Sequence, residues 1–319
     1  MLALPDVQGT DFYPLWYGAK LVLQGENPYS ESSRLLFSQS WTTAQNTDVA
    51  ATIAYPIPFL LLITPLALMP IAIASSIWLA MLMSTVVCFA KTFKLNNLLL
   101  IPLFYPVFHC ILIKNSEIAW FALTCLTING VKNKRVLLTA ICCALLPLKP
   151  QAGIIVSLFA LFELKEHRKL FWTIVALIAV LMAALSFLLQ PLWLSSWIET
   201  VLYYKFAISR VEFFPWTIIL IVPFIRAPWY VKACVLQLVI FDINDLYRTV
   251  HLLPALAYLG GPAAFIAASL SWLSAIIYEH PNNSHAIWFF CVTPTLILGS
   301  YNFLIKKNKA KVVFDKQEA

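Results

Sequence analysis

Between residues 57 and 304 the chain is a near-continuous series of apolar segments, separated by prolines, short polar turns and clusters of basic residues. The segments fall near 57–68, 71–90, 96–113, 117–131, 136–148, 151–163, 170–189, 213–225, 230–241, 249–260, 263–278 and 285–304. Soluble domains carry about 25% charged residues. Here 12% of 319 residues are charged and 61% are hydrophobic. This balance points to an all-α, polytopic transmembrane helical bundle. Several segments fall short of the roughly 20 residues that a simple span needs. Short or Pro-broken helices persist in lipid only where neighbouring protein or a polar cavity satisfies the backbone. A cavity-bearing bundle is therefore expected, rather than a set of plain anchors.

The basic residues orient the bundle. Short cytoplasmic loops accumulate Lys and Arg, and this places Lys91, Lys94, Lys132–Arg135, Lys165–Lys169, Arg226 and Lys232 on the cytoplasmic face. Taking 57–68 as re-entrant or interfacial gives about 11 spans, with Gly260-Gly261-Pro262 as a cytoplasmic turn. The expected organisation is an extracytoplasmic entry region over 1–54, a transmembrane bundle over 55–305 and a basic cytoplasmic tail over 306–319. A multi-pass protein of the plasma (inner) membrane is implied. The net charge of +7 sits largely at span ends and in the tail, where it contacts anionic membrane lipid; it does not indicate nucleic acid. The seven cysteines show no CxxC spacing and read as small core residues. No His/Cys pattern has metal-ligand spacing, and no glycine loop could cradle a phosphate. No cofactor is expected, a Rossmann-type nucleotide-sugar enzyme is disfavoured, and a divalent metal requirement stays open.

Lys149 is the first functional candidate. It lies in the hairpin Leu148-Lys149-Pro150, between the basic clusters at 132–135 and 165–169. From Arg135 a helix climbs only about 21 Å to Lys149, against a hydrocarbon layer of about 30 Å. The lysine should thus lie in the outer part of that layer or in a watery pocket. An ionisable group there is costly and marks function; phosphate is its natural anionic partner, and snorkelling to the interface is the competing reading. Asp11 is the second candidate. It precedes an interfacial helix that has Pro14 in its first turn, Gly25 as the left-handed residue past its end, and Leu15, Ala19 and Val22 on one face. Helix capping is the alternative role for Asp11. A second polar cluster, Asp242 to His251, offers Asp245, Arg248 and His251 as acceptor-lining groups, or as a self-neutralising loop with an Asp245–Arg248 pair. Tyr13 and Tyr29 are further substrate-lining candidates, although tyrosines here also serve as interface anchors.

Four pieces of sequence in this order resemble a known family. Asp11-Phe12-Tyr13 continuing to Gly25-Glu26-Asn27-Pro28-Tyr29 looks like the first extracytoplasmic loop of polyprenyl-phosphate-dependent GT-C glycosyltransferases, nearest to family 87, the mannosyltransferase-like DUF2029 group. Tyr55-Pro56-Ile57-Pro58-Phe59 resembles that family's Tyr-Pro-Pro-Pro entry to the next span, followed by Pro65 to Pro70 and Trp78. Lys114-Asn115-Ser116-Glu117 stands where many members have a Gly-Gln turn, and Leu148-Lys149-Pro150-Gln151 matches a Lys-Pro hairpin. The similarity covers residues 9–190, with hydropathy alone beyond. Members have a transmembrane helix before the Asp loop, whereas ten residues precede Asp11 here and Met1-Leu2-Ala3-Leu4 reads as the stump of that helix.

The resemblance implies transfer of a hexose such as mannose, with inversion, from a polyprenyl-phosphate sugar to the hydroxyl of a glycan or glycolipid acceptor. On that reading Asp11 is the base. Lys149 and Arg210, in the outer loop Ser209-Arg210-Val211-Glu212, bind the departing phosphate, with Arg210 otherwise a solvated partner of Glu212. Two other readings stand beside it: a transporter or flippase for a lipid-linked or small anionic substrate, and a truncated, inactive homologue.

Overall fold

A computed structural model describes residues 7–41, 52–93, 95–207, 216–241, 245–277 and 284–315. Arg210, Asp242, Lys94 and Met1–Leu4 lie outside these residues. The described chain is helical throughout, with no strand. Three helices are long and apolar enough to cross a membrane: Ile71–Thr92, Lys165–Leu189 and Trp288–Ile305. Shorter apolar helices, Ile57–Ala67, Val136–Leu148, Pro150–Glu163, Trp229–Ile240 and Gly261–Ala275, fill the space around them. The Lys165–Leu189 segment leaves Leu177, Val180 and Leu188 at 67%, 66% and 78% exposure, an apolar surface suited to lipid rather than water.

Helix Glu117–Lys132 is the hub. It packs against Ile71–Thr92, Val136–Leu145, Pro150–Glu163 and the 3-10 segment Leu246–Leu252. Small side chains make these approaches close: a Cβ on Gly130 would collide with Thr139 Oγ1, and one on Gly153 would lie 2.5 Å from Leu146 Cδ2. Such contacts replace the hydrophobic drive that helices lose in lipid. Polar side chains also tie neighbours together, as in Thr85 to the Ile118 carbonyl (3.2 Å) and Thr92 to the Cys125 carbonyl (2.9 Å).

The entry helix runs Phe12–Leu23, with Leu15, Ala19 and Val22 buried against Ile57–Ala67. Gly25 sits at φ +76°. The Gly25 and Glu26 amides donate to the Val22 and Leu21 carbonyls at 3.1 and 2.9 Å, the paired bonds that close a helix when the residue past its end is left-handed. Helix Glu31–Ser40 follows, its N-terminus capped by the Ser30 hydroxyl accepting from the Ser33 amide.

The hairpin at Lys149 shows how a broken helix is tolerated. Pro147 and Pro150 interrupt the ladder, so Val136–Leu145 passes through the 3-10 turn Leu146–Leu148 into Pro150–Glu163. Trp120 Nε1 donates to the Leu146 carbonyl at 3.0 Å, and fully buried Gln237 donates to the Pro150 carbonyl at 2.8 Å. Neighbouring side chains thus satisfy backbone carbonyls at the break, Leu146 being the one that Pro150 leaves without its helical partner, as lipid requires. At the far end of the hairpin, Lys134 and Glu166 pair at 3.3 Å, which sets the two basic clusters side by side.

Several elements differ from the expected segmentation; the segment 249–260 begins inside the 3-10 segment Leu246–Leu252, and 263–278 divides into Gly261–Leu270 and Leu273–Ile277. Residues 96–113 form a broken run of Leu95–Leu99, Leu100–Leu103 and Tyr105–Leu112, because Pro106 forbids a continuous ladder. Helix Trp193–Ala207 occupies a gap between the expected apolar segments; its interspersed Ser, Glu and Thr hid it. Helix Thr293–Asp315 runs through residue 305 without a break.

Replacing Gly153 with valine forces a side chain into Leu146, whose Cβ lies only 2.6 Å from where the new Cβ would stand and cannot swing away. We predict a loss of about 1–3 kcal/mol, read as a lower melting temperature in detergent, while Ala at Gly25, open on all sides, costs only the left-handed backbone penalty of about 1–2 kcal/mol. Equal melting of wild type and Gly153→Val would refute the close approach.

Candidate functional site

The turn Asn115-Ser116-Glu117, at the start of the hub helix, gathers the polar residues at one end of the bundle. Lys114 precedes it at φ +55°, a left-handed conformation that glycine adopts without penalty. It is the residue that stands first where the resemblance expects Gly-Gln. Trp78 Nε1 donates to the Lys114 carbonyl at 3.0 Å, and Trp78 in turn stacks on Phe12 at 5.4 Å. Asn115 Oδ1 accepts from the Glu117 amide at 2.7 Å, ordering the turn.

Asp11 reaches this turn from the entry helix. Its amide donates to the Ile113 carbonyl at 2.8 Å, and its Oδ2 accepts from Asn115 Nδ2 at 2.6 Å. Asp11 occupies the N-cap position of Phe12–Leu23 but its carboxylate makes no capping bond. Burial pushes the Asp11 carboxyl above its ordinary value; the Asn115 hydrogen bond and the Lys149 charge pull the other way, and Asp245 adds to the rise.

Lys149 reaches the same turn from the hairpin. It is buried, at 8% exposure. Its Nζ lies 2.6 Å from Glu117 Oε2 and 3.1 Å from Ser116 Oγ, with the Tyr247 ring 5.7 Å away. Asp11 and Lys149 therefore meet at one turn, and their charges couple. The snorkelling alternative does not describe this burial. The ammonium has a carboxylate partner inside the protein, so an incoming phosphate must join or displace Glu117.

The Leu246–Leu252 segment closes the site. Tyr247 donates to Asp245 Oδ2 at 2.7 Å, and Arg248 Nε lies 3.6 Å from the same oxygen. The Asp245–Arg248 pair expected from sequence is thus present. His251 turns inward instead: its Nε2 is 3.0 Å from Glu117 Oε1, and its Nδ1 is buried without a hydrogen-bond partner. Three carboxyl groups (Asp11, Glu117, Asp245), two basic side chains (Lys149, Arg248) and the His251 imidazole therefore gather around one turn. Such a group can move a proton and hold an anion, the two tasks that acyl- and glycosyl-type displacements require.

Tyr13 is buried and stacked on Phe37 and Trp16, with ring centroids 5.8 and 6.2 Å away. Tyr29 donates to the Tyr55 carbonyl at 2.7 Å. It also lines a cavity of about 400 Å³ with Arg34, Thr52, Ser196, Glu199 and Tyr203. This cavity opens at the other end of the entry helix, about 18 Å along its axis from Asp11. Among the described residues no group of three His, Cys, Asp or Glu could hold a metal ion, and the cysteines are unbridged.

Sequence reading named the turn but assigned no role to Asn115, Ser116 or Glu117. An acidic residue beginning an apolar helix was the available signal. Gln237, a lone amide within an apolar segment, was another. Comparison with family models, curated proteins and solved structures found no match, so the family likeness rests on the motif residues themselves.

Two outcomes are expected from this geometry. Because the native state holds the Asp11 proton more tightly than the unfolded chain, this group's contribution is most favourable below its ordinary value of 3.8 and declines as pH rises through the raised native value. Melting of wild type should therefore fall relative to Asp11→Asn as pH increases from 4 to 8; a constant difference would show that Asp11 ionises normally. Separately, Lys149→Met strands a buried carboxylate and should cost about 3–5 kcal/mol, whereas Lys149→Met with Glu117→Gln should cost clearly less than the sum of the single changes. Additive losses would mean the pair is not coupled.

Proposed function

We propose that this protein is a membrane glycosyltransferase of GT-C type, moving a hexose from a polyprenyl-phosphate sugar to an acceptor hydroxyl with inversion. The observation that carries the reading is the meeting of Asp11 and Lys149 on one turn, from two elements more than a hundred residues apart. Further support comes from the motif residues themselves: Phe12 stacks on Trp78, Tyr29 bonds to Tyr55, and Asp11 bonds to Asn115.

In this reading the acceptor oxygen attacks the anomeric carbon as the bond from that carbon to the phosphate oxygen breaks. Asp11 takes the acceptor's proton, and its upward-shifted carboxyl makes it a better base than an exposed aspartate. Polyprenyl phosphate leaves with its charge facing Lys149, with Arg248 on the same side of the site and Arg210 as a further cation outside the described residues. Glu117 holds the ammonium in place before the donor arrives. The Tyr29 cavity, with its hydroxyls and Arg34, suits the remote part of a glycan acceptor. The catalytic face is extracytoplasmic.

A transporter reading draws on one observation, the buried Glu117–Lys149–His251 network, since such groups inside membrane proteins also relay protons or carry ions. The decisive assay uses membranes supplied with polyprenyl-phosphate hexose and a glycan acceptor. Asp11→Ala should lower transfer about 10²–10⁴-fold while the protein stays folded. Full activity in that variant removes Asp11 as base, and substrate uptake into proteoliposomes without transfer supports the transporter.

A further inference from the structure

A second cavity lies at the opposite end of the hub helix. Its volume is about 910 Å³, and Phe93, Asn96, Lys132, Tyr230, Gly261 and Phe265 are among its walls. Lys132 ends the helix that Glu117 begins, so this cavity stands about 22 Å along the helix axis from the Asp11 site. The separation approaches the thickness of the hydrocarbon layer, which puts this cavity and the Asp11 site near opposite membrane faces.

We propose that this cavity binds an anionic membrane lipid, its phosphate held by Lys132. Four observations converge. Among the described residues the lining contains one cation and no carboxylate. Lys132 Nζ donates to the Thr92 carbonyl at 3.2 Å and lies 4.5 and 5.3 Å from the Tyr230 and Phe93 rings; among the described residues no acidic group pairs with it. These contacts aim the ammonium without neutralising it. The ten-residue helix Gly261–Leu270 begins at the wall, following Gly260 and Gly261 at φ +62° and +69°, so its amide-rich positive end adds to the field. Finally, this is the end where Lys91, Lys134 and Lys165 gather: Asn129 donates to the Lys91 carbonyl and Lys134 pairs with Glu166. A lone inorganic anion would leave the aromatic walls wet. A phosphodiester with acyl chains covers them, which is how basic pockets between membrane helices recognise headgroups.

The test is native mass spectrometry of the full-length protein, titrated separately with phosphatidylglycerol, phosphatidylcholine and inorganic phosphate. Phosphatidylglycerol should bind more tightly than phosphatidylcholine. Lys132→Met should weaken phosphatidylglycerol about fivefold, the worth of one basic residue near an anionic surface, and leave phosphatidylcholine unchanged. Lys132→Arg should retain binding, and so should Lys134→Gln, whose side chain is outside the cavity. Phe265→Trp, which fills the cavity but keeps the charge, should also reduce occupancy and serves if Lys132→Met fails to fold. Equal binding of both lipids, or unchanged phosphatidylglycerol affinity in Lys132→Met and Phe265→Trp, overturns the proposal. Inorganic phosphate competing as well as the lipid would assign the site to a free anion and overturn the lipid.

Discussion

One end of the helical bundle depends on a single buried carboxylate. Glu117 is fully buried, and an isolated charge in that position would be too costly to keep. Lys149 on one oxygen and His251 on the other make it tolerable. The three residues come from different elements, the hub helix, the broken hairpin and the Leu246–Leu252 segment, so their contact clamps those elements to one another. Asp11 then docks beside the clamp through Asn115. Removal of any partner is felt by all, because a half-satisfied polar network is worse than an apolar core.

A lipid-embedded chain must also satisfy its own backbone wherever helices break. The hairpin at Lys149 meets that demand through Trp120, which donates to the Leu146 carbonyl that Pro150 sets free, and Gln237, which donates to the Pro150 carbonyl. Trp120 packs on Phe59 at 4.3 Å, so the entry to the bundle, the hub and the hairpin form one packed unit. The same logic explains why polar side chains recur inside apolar segments. Thr85, Thr92 and Gln237 bond to backbone groups of neighbouring helices rather than to water.

Much of the helical layout was legible because it follows from local chemistry. Pro14 and Gly25 bracket the entry helix, Pro147 and Pro150 place the hairpin, and runs of apolar residues mark most of the remaining helices. The candidate site was legible only in part. Asp11 and Lys149 stood out as charges near apolar segments, and the Asp245–Arg248 pair followed from spacing. Glu117 did not stand out, because an acidic residue at a helix N-terminus is ordinary when exposed. His251 stood out only as an acceptor-lining candidate beside Asp245 and Arg248, since sequence distance does not reveal that its ring turns toward a carboxylate 134 residues away.

Composition and local pattern alone determined that this chain is a helical protein with membrane-length apolar helices, broken at identifiable prolines and gathering many of its basic residues near helix ends. These are short-range properties, decided by solvation and by steric limits on a few consecutive residues. Which charges neutralise each other, and which cation remains without an acidic partner in a cavity, was decided by tertiary structure. The reason is that burial and Coulomb energy depend on distances between side chains far apart in the chain. Packing gives Lys149 a carboxylate at 2.6 Å and Lys132 two aromatic rings and a carbonyl.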